Sequence, residues 1–182
     1  TVPVFGGGTV NTEFEVLTGM SIRDFGAGEY PYHTVLQNRP CESICYNLKG
    51  EGYSAHAIHN NTAVFYNRYK VYANLGFDTF TSMEYMNGLE LNPTGWAKDN
   101  VLTGYILTAL SSTDTPDVVM AVSVQPHGSY PDDELPDPTP INTGTVPGDV
   151  PGNAFAYYVS QIRETDAFVG ELVGALSQLS EP

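Results

Sequence analysis

The chain has 182 residues, 41% of them hydrophobic, which is the size and composition of one globular domain. Its 7 Lys and Arg residues against 21 Asp and Glu residues give a formal net charge of −14. This balance argues against nucleic acid and anionic membrane surfaces as partners for a broad face, so an anionic substrate needs a local positive site or a metal. The sequence has no run of about 18 apolar residues that could span a membrane.

A glycine run precedes the first predicted helix, within the stretch FGGGTVNTEFEVLTG at 5–19. We expect this helix over about 12–20, with Thr12 as N-cap and Glu15 reaching back in a capping box. Thr9 then lies in the turn before the helix, where backbone N–H groups and the helix dipole favour an anion. Its hydroxyl is either a phosphate clamp or a nucleophile, and a purely structural glycine-rich turn is an equally good interpretation.

The rest of the chain alternates helical and strand patterns. Helical periodicity predicts further helices over about 40–50, 62–75, 97–113 and 153–179. Two short segments predict strands, 53–59 and 117–124, and the second is apolar enough to be buried on both faces of a parallel sheet. A proline-rich acidic loop is predicted over 128–153. The alternation predicts an α/β fold with a mostly parallel sheet flanked by helices. Two strands are few for such a fold, so we expect further sheet elements outside this chain.

The two cysteines do not indicate a disulfide or a metal site. Cys41 and Cys45 lie four residues apart on one predicted helix, which is poor geometry for a disulfide. Two ligands are also too few for structural zinc, so both are interpreted as ordinary buried thiols.

Histidines follow both predicted strands. His59 ends the first strand, and His127 follows the second. Because the carboxyl ends of parallel strands meet at one edge of a sheet, we expect both histidines at the same crevice, which Thr9 is placed to face. His56 alternates with Ile58 along the first strand, so it is expected on the opposite side from His59 and is interpreted as structural.

Tyr66 and Arg68 follow the first strand closely, in a chain with few positive side chains. The guanidinium of Arg68 offers a fork of donors suited to a tetrahedral oxyanion. The alternatives are a surface salt bridge for Arg68 and an ordinary hydrogen-bonded loop histidine for His59. The sequence has no Gly-x-Ser-x-Gly elbow, P-loop or dinucleotide fingerprint, which argues against α/β-hydrolases and nucleotide-binding folds.

Three segments, 5–19, 53–80 and 118–131, together resemble the lipoteichoic acid synthase-like branch of the sulfatase/alkaline phosphatase superfamily. The resemblance implies that Thr9 is a nucleophile that forms a phospho-threonine intermediate and also ligates a divalent cation, typically manganese. It further implies that the phosphoglycerol group of the substrate is held by four residues, His59, Tyr66, Arg68 and His127.

This sequence departs from the superfamily pattern in informative ways. Tyr66 stands where a tryptophan is common in the branch, so the shape of the pocket is expected to differ. True sulfatases carry a modified cysteine in a Cys-x-Pro-x-Arg setting, whereas here the nucleophile position is Thr9, which disfavours sulfate-ester hydrolysis. The other metal ligands of the branch lie before and after a segment such as this one. Residues 1–182 are therefore expected to be the central part of a larger catalytic domain, inactive and without metal on its own.

The resemblance also implies a place and a function for the whole protein. Transmembrane helices outside this chain would anchor the domain on the extracytoplasmic face of a bacterial membrane. The predicted function is metal-dependent phosphoglycerol transfer or phosphoester hydrolysis on a cell-envelope substrate. The alternative is a non-catalytic extracellular module that binds an anion or a carbohydrate at the same crevice. An incomplete sheet would also expose edges that favour self-association.

Overall fold

A computed structural model of the chain describes residues 8–133 and 152–180. Its helices are α1 (Thr9–Thr18), α2 (Pro31–Thr34), α3 (Ile44–Gly50), α4 (Arg68–Asn74), α5 (Val101–Leu110) and α6 (Gly152–Leu176). Its strands are β1 (Ser54–His59), β2 (Thr79–Ser82) and β3 (Asp117–Val122). Single 3₁₀ turns cover Ile22–Asp24, Phe65–Asn67 and Met83–Tyr85. Most of the loop predicted over 128–153 lies outside the described residues.

The three described strands form one parallel sheet in the order β2-β1-β3. In its register, His59 at the end of β1 lies opposite Ser82 of β2 and Val122 of β3. The predicted α/β fold with a parallel sheet is therefore confirmed. The expectation that 117–124 is buried on both faces is wrong, because β3 is an edge strand of the described sheet and its Ala121 is exposed.

Helices cover both faces of the sheet, which gives two cores. Ala55 and Ala57 of β1 face a core built mainly from α1, α2 and α4, where their small side chains allow close packing. Ile58 points the other way, into a second core formed with α5 and α6. His56 shares the side of Ile58, whereas His59 shares the side of Ala57, as the alternation of side chains along a strand requires.

The first helix starts one turn earlier than predicted. α1 begins at Thr9 with Gly8 as N-cap, so the expected capping box at Thr12 is wrong. Glu15 does not reach back, because its Oε1 accepts the backbone N–H of Ile22 at 2.8 Å in the following loop. Gly19, in the left-handed region at φ 70°, ends the helix.

The helix predicted over 62–75 is interrupted before Arg68. Tyr66 and Asn67 have φ values of 57° and 56°, in the left-handed region that is rare for residues other than glycine. This turn breaks the helical path, so α4 proper begins only at Arg68.

Both cysteines are free thiols, as predicted, and Cys45 is buried in α3. The expectation that both are buried on one helix is wrong for Cys41, which precedes α3 and is only partly buried. No helix in the described ranges is long and apolar enough to cross a membrane.

Candidate functional site

Thr9 lies at the solvent-exposed N-terminus of α1. It is the first helical residue and is exposed, whereas Val10 beside it is fully buried. The first backbone N–H groups of a helix have no partner within it, so a helix N-terminus such as this one favours a bound anion. The expectation that Thr9 lies in the turn before the helix is wrong, because α1 starts at Thr9 itself, but Thr9 does lie at a helix N-terminus.

Gly8 has a packing role that the sequence did not indicate. A Cβ atom at Gly8 would lie 2.2 Å from Cε1 of Tyr30. The space beside this glycine is thus filled by the Tyr30 ring, so the absence of a side chain at Gly8 allows that ring to pack against the backbone. The preceding glycines, Gly6 and Gly7, lie outside the described residues.

Arg68 is held in a buried cluster by Glu13 of α1. Its Nη2 donates to Glu13 Oε1 at 2.5 Å, and its Nε lies 3.3 Å from Glu13 Oε2. The hydroxyls of Tyr72 and Tyr32 also donate to Oε2, at 2.9 Å and 3.1 Å. Arg68 is 1% exposed and Glu13 is 7% exposed. The interpretation of Arg68 as a surface salt bridge is wrong, because its partner lies in the core.

His59 contacts the same guanidinium from β1. Its Nδ1 lies 2.7 Å from the Val122 carbonyl oxygen, and its Nε2 lies 3.3 Å from Arg68 Nη1. Since a carbonyl only accepts and a guanidinium only donates, Nδ1 carries the proton and Nε2 is the acceptor. Burial and the neighbouring charge of Arg68 lower the pKa of His59 to about 4. His59 is therefore neutral at pH 7.

The charge of the cluster is balanced within it. Burial opposes the charge of the Arg68 guanidinium, but the hydrogen bond and charge of Glu13 outweigh it and raise the pKa of Arg68. Burial, then the nearby Glu13 carboxylate, raise the pKa values of Tyr32 and Tyr72. His59 adds no positive charge to this cluster, because its desolvated ring stays neutral beside Arg68.

Two aromatic rings lie against Arg68. The guanidinium carbon is 5.4 Å from the centroid of Tyr66 and 6.0 Å from that of Phe65. Tyr66 in turn stacks on Tyr30 with a centroid distance of 6.2 Å, and Tyr30 is the ring that fills the space beside Gly8. The left-handed backbone at Tyr66 costs about 1–2 kcal/mol, and such strain is typical of functional sites.

His127 lies apart from this cluster. Its ring centroid is 4.7 Å from that of Trp96, and its Nδ1 lies 2.6 Å from the Gly128 carbonyl oxygen. The side chain is exposed, beyond the end of β3. Of the five predicted site residues, His59, Tyr66 and Arg68 are thus in direct contact. Thr9 is linked to them through α1, whereas His127 packs on Trp96 instead.

A second buried polar cluster supports the loops around His127. Asp99 is fully buried, and its Oδ1 accepts from Asn60 Nδ2 at 2.9 Å and from the backbone N–H groups of Val124 and Gln125 at 3.2 Å. Its Oδ2 accepts from the Thr165 hydroxyl at 2.9 Å. These contacts tie the segments after β1 and β3 to α6, and they fix the chain two residues before His127.

The described residues do not make up a metal site. Among them, no three His, Cys, Asp or Glu side chains form a group that could hold a metal ion. Glu13, one turn after Thr9, already accepts bonds from Arg68 and two tyrosines. Of the metal ligands that the family resemblance implies, Thr9 is the one that lies within the described ranges.

Glu13 is the functional candidate that sequence reasoning missed. A signal was available, because Val10, Phe14 and Leu17 are the buried stripe of α1 and Glu13 falls on the same stripe. A carboxylate on a core-facing helix position needs a buried partner.

A cavity of about 330 Å³ lies at the other end of α1, around Leu17, Gly19 and Ser43, and so is separate from the Thr9 end.

Comparison with known proteins identifies the family. The profile of the Sulfatase family matches residues 2–182. A Rhizobium meliloti (strain 1021) protein named for cyclic beta-1,2-glucan modification is 36% identical over 167 residues, which cover 90% of this chain and 25% of the relative. The capsular polysaccharide biosynthesis protein RkpI of the same strain is 25% identical over 182 residues, covering 97% of this chain and 31% of that protein.

Solved structures show the same fold. The lipoteichoic acid synthase LtaP from Listeria monocytogenes superposes with a TM-score of 0.76 at 22% identity, over 96% of this chain and 41% of that one. The Streptococcus pyogenes phosphoglycerol transferase GacH, solved with sn-glycerol-1-phosphate, gives 0.66 at 23% identity, over 93% of this chain and 45% of that one. The chain spans about a quarter to a third of its curated relatives. The resemblance seen in the sequence is confirmed for family and fold, and the chain belongs to the sulfatase family.

Proposed function

We propose that the protein containing this chain transfers a phosphoglycerol group from a lipid donor to a cell-envelope acceptor, with Thr9 as the nucleophile. The observation that carries this proposal is the position of Thr9. Its hydroxyl is exposed at the N-terminus of α1, and the Arg68 cluster is anchored to the next turn of the same helix. A helix N-terminus is suited to the anionic phosphoryl group, and an exposed hydroxyl can approach its phosphorus.

The proposed reaction has two displacement steps. The Thr9 oxygen attacks phosphorus, the bond from phosphorus to the lipid alcohol breaks, and the proton of the Thr9 hydroxyl ends on that alcohol. An acceptor hydroxyl, or water, then attacks the phospho-threonine and restores Thr9. Arg68 and the neutral His59 would orient the phosphoglycerol group from the buried side of the site. Tyr66 and His127 would contact it at the surface. His59 and Arg68 are buried, so direct contact with substrate requires the covering Phe65 and Tyr66 rings to shift.

The relatives support the choice of substrate. GacH is a phosphoglycerol transferase solved with sn-glycerol-1-phosphate, which supports a phosphoglycerol donor. The relative with 36% identity is named for cyclic beta-1,2-glucan modification, which supports a glucan hydroxyl as acceptor. The chain covers less than half of each of these proteins, so both assignments are proposals for the whole protein.

A divalent cation, manganese in our proposal, would supply Lewis-acid assistance to this transfer. Thr9 would contribute its hydroxyl oxygen, and the other ligands would come from residues outside the described ranges. We also propose that the whole protein acts on the extracytoplasmic face of the membrane, where lipid donor and envelope acceptor meet.

The test compares the full-length wild type with Thr9→Ala. Release of glycerol phosphate from a phosphatidylglycerol-type donor is measured with and without manganese, and with and without cyclic glucan. The matched control is Thr12→Ala, because Thr12 lies on the same helix one turn further along. We expect Thr9→Ala to lose turnover by a factor of about 10³ or more, since it removes the nucleophile. Thr12→Ala should keep the wild-type rate.

Each other outcome contradicts a specific part of the proposal. Turnover that survives Thr9→Ala would exclude the threonine nucleophile. Turnover that needs no added or bound metal would exclude the role of the cation. If the wild type binds cyclic glucan or glycerol phosphate but turns over no donor, the chain is part of a binding module.

A further inference from the structure

We propose that Glu13 is a positioning residue that holds Arg68 and His59 in register with Thr9, an inference that rests on the proposed function. Glu13 itself is almost fully buried, at 7% exposure, and both its oxygens are occupied by partners in the core. It therefore acts through Arg68. Three elements meet at this point, because Glu13 belongs to α1, Arg68 begins α4 and His59 ends β1.

The bond pattern fixes the orientation of the guanidinium. Both oxygens of Glu13 are used, Oε1 by Nη2 at 2.5 Å and Oε2 by Nε at 3.3 Å. This fork holds the guanidinium plane and leaves Nη1 directed at His59 Nε2, 3.3 Å away. The other nitrogen of His59 is fixed by the Val122 carbonyl oxygen. The orientation of two predicted substrate-binding side chains thus depends on one carboxylate.

Helix geometry connects this fork to the nucleophile. Residues four apart lie on the same side of a helix and about 6 Å apart along its axis, so Glu13 lies one turn below Thr9. Because α1 is a continuous helix from Thr9 to Thr18, a shift of the Arg68 fork relative to α1 is a shift relative to Thr9. A displacement of about 1 Å between reacting groups is enough to slow an enzyme by about 10²-fold.

Two tyrosines make the position specific for a carboxylate. The hydroxyls of Tyr32 and Tyr72 donate to Oε2, and Tyr72 also accepts from Arg68 Nε at 3.1 Å. A glutamine of the same shape has one acceptor oxygen, so its NH₂ group would face a donor of Arg68 or the donating tyrosines. Glu13→Gln therefore breaks the fork with little change in volume, whereas Glu13→Asp keeps both oxygens on a shorter stem.

The first test is kinetic and uses the full-length protein with the glycerol phosphate release assay. We expect Glu13→Gln to lower kcat by about 10²-fold, and Glu13→Asp to restore part of the loss. In an Arg68→Lys background, the lysine cannot form the two-point contact of the guanidinium with Glu13. Adding Glu13→Gln to that background should therefore lower kcat by about threefold or less. The control is Glu15→Gln on the same helix, whose carboxylate accepts instead from the Ser21 hydroxyl and the Ile22 backbone N–H. Additive losses in the double variant would overturn the positioning role.

The second test does not depend on turnover. The Arg68 Nε–H group is buried and donates both to Glu13 Oε2 and to the Tyr72 hydroxyl, which itself donates to Glu13, so its hydrogen exchange, followed by ¹⁵N NMR, reports on the contacts that Glu13 organises. We expect exchange at least about tenfold faster in Glu13→Gln and unchanged in Glu15→Gln. Unchanged exchange in Glu13→Gln would overturn the proposal even in an active enzyme. A wild type with no turnover but with this exchange pattern would contradict the proposed function and leave the positioning of Arg68 by Glu13 standing.

Discussion

The buried carboxylates of Glu13 and Asp99 lie on opposite faces of the sheet and find their partners in different ways. On the face covered by α1 and α4, opposite charges meet, since Glu13 pairs with Arg68 and both are almost fully buried. On the face covered by α5 and α6, the buried acid Asp99 bonds to neutral donors of Asn60, Thr165 and the backbone. The first arrangement orients side chains, a guanidinium and an imidazole. The second holds backbone segments, the loops that follow β1 and β3.

This difference predicts different costs of disruption, because a charge left alone in a core is more expensive than a lost neutral hydrogen bond. The Glu13–Arg68 cluster should therefore lose more stability than the Asp99 cluster when one partner is removed. It is also the cluster that responds to pH through His59, whose ring is kept neutral by its buried position.

The largest effect is expected for Arg68→Ala. It leaves the Glu13 carboxylate buried without its cation, and we expect the free energy of unfolding to fall by about 4 kcal/mol in urea denaturation. The control is Lys49→Ala, which breaks the ion pair with Asp78 whose side chains are 34% and 38% exposed. An exposed pair contributes about 1 kcal/mol or less. An equal fall in the free energy of unfolding for the two variants would show that the buried Glu13–Arg68 pair stabilises the fold no more than an exposed ion pair does.

The Asp99 cluster should have the next largest effect on stability. Asp99→Ala leaves buried donors of Asn60, Val124, Gln125 and Thr165 without their acceptor, at a cost of about 3 kcal/mol in the same assay. Asp99→Asn keeps one acceptor oxygen and should cost less than half as much. Exposed Asp114→Ala is the control and should stay within about 0.5 kcal/mol of wild type. A loss larger than that of Arg68→Ala would reverse the ranking of the two faces.

Sequence patterns predict the elements that have a strong periodic signal. The strands predicted at 53–59 and 117–124 agree with β1 and β3 within two residues, and their parallel arrangement follows from the helices between them. This is enough to place His59 at the correct edge of the sheet. β2 is not predicted, because its four residues, TFTS, are too short and too polar to give an apolar run.

The interior of the candidate site depends on contacts that no local pattern contains. Glu13 and Arg68 are 55 residues apart, and only the fold brings them together. The left-handed backbone at Tyr66 contradicts the local preference of tyrosine and is held by the packing of its ring on neighbouring rings, whereas Asn67 belongs to a residue type that adopts this region readily. Glu13 on the buried stripe of α1 is the one signal in the sequence that points to this partnership.

The smallest predicted effect is a pH dependence carried by His59. Its pKa is about 4 in the folded chain, against about 6.5 for an unfolded histidine. Below pH 6.5 the unfolded state therefore binds more protons than the folded state. The contribution of His59 to stability is complete above pH 6.5 and is lost as the pH falls toward 4.

Between pH 7 and pH 5 this loss amounts to about 2 kcal/mol, at 1.36 kcal/mol for each unit over which the two states differ in protonation. Other groups also titrate in this range, so the quantity to measure is the difference in unfolding free energy between wild type and His59→Gln at each pH. That difference should shrink by about 2 kcal/mol on going from pH 7 to pH 5, because glutamine cannot take up the proton. A difference that stays constant would mean that the imidazole charges without penalty. The His59 ring would then be in contact with solvent or with a carboxylate, rather than with the Arg68 guanidinium.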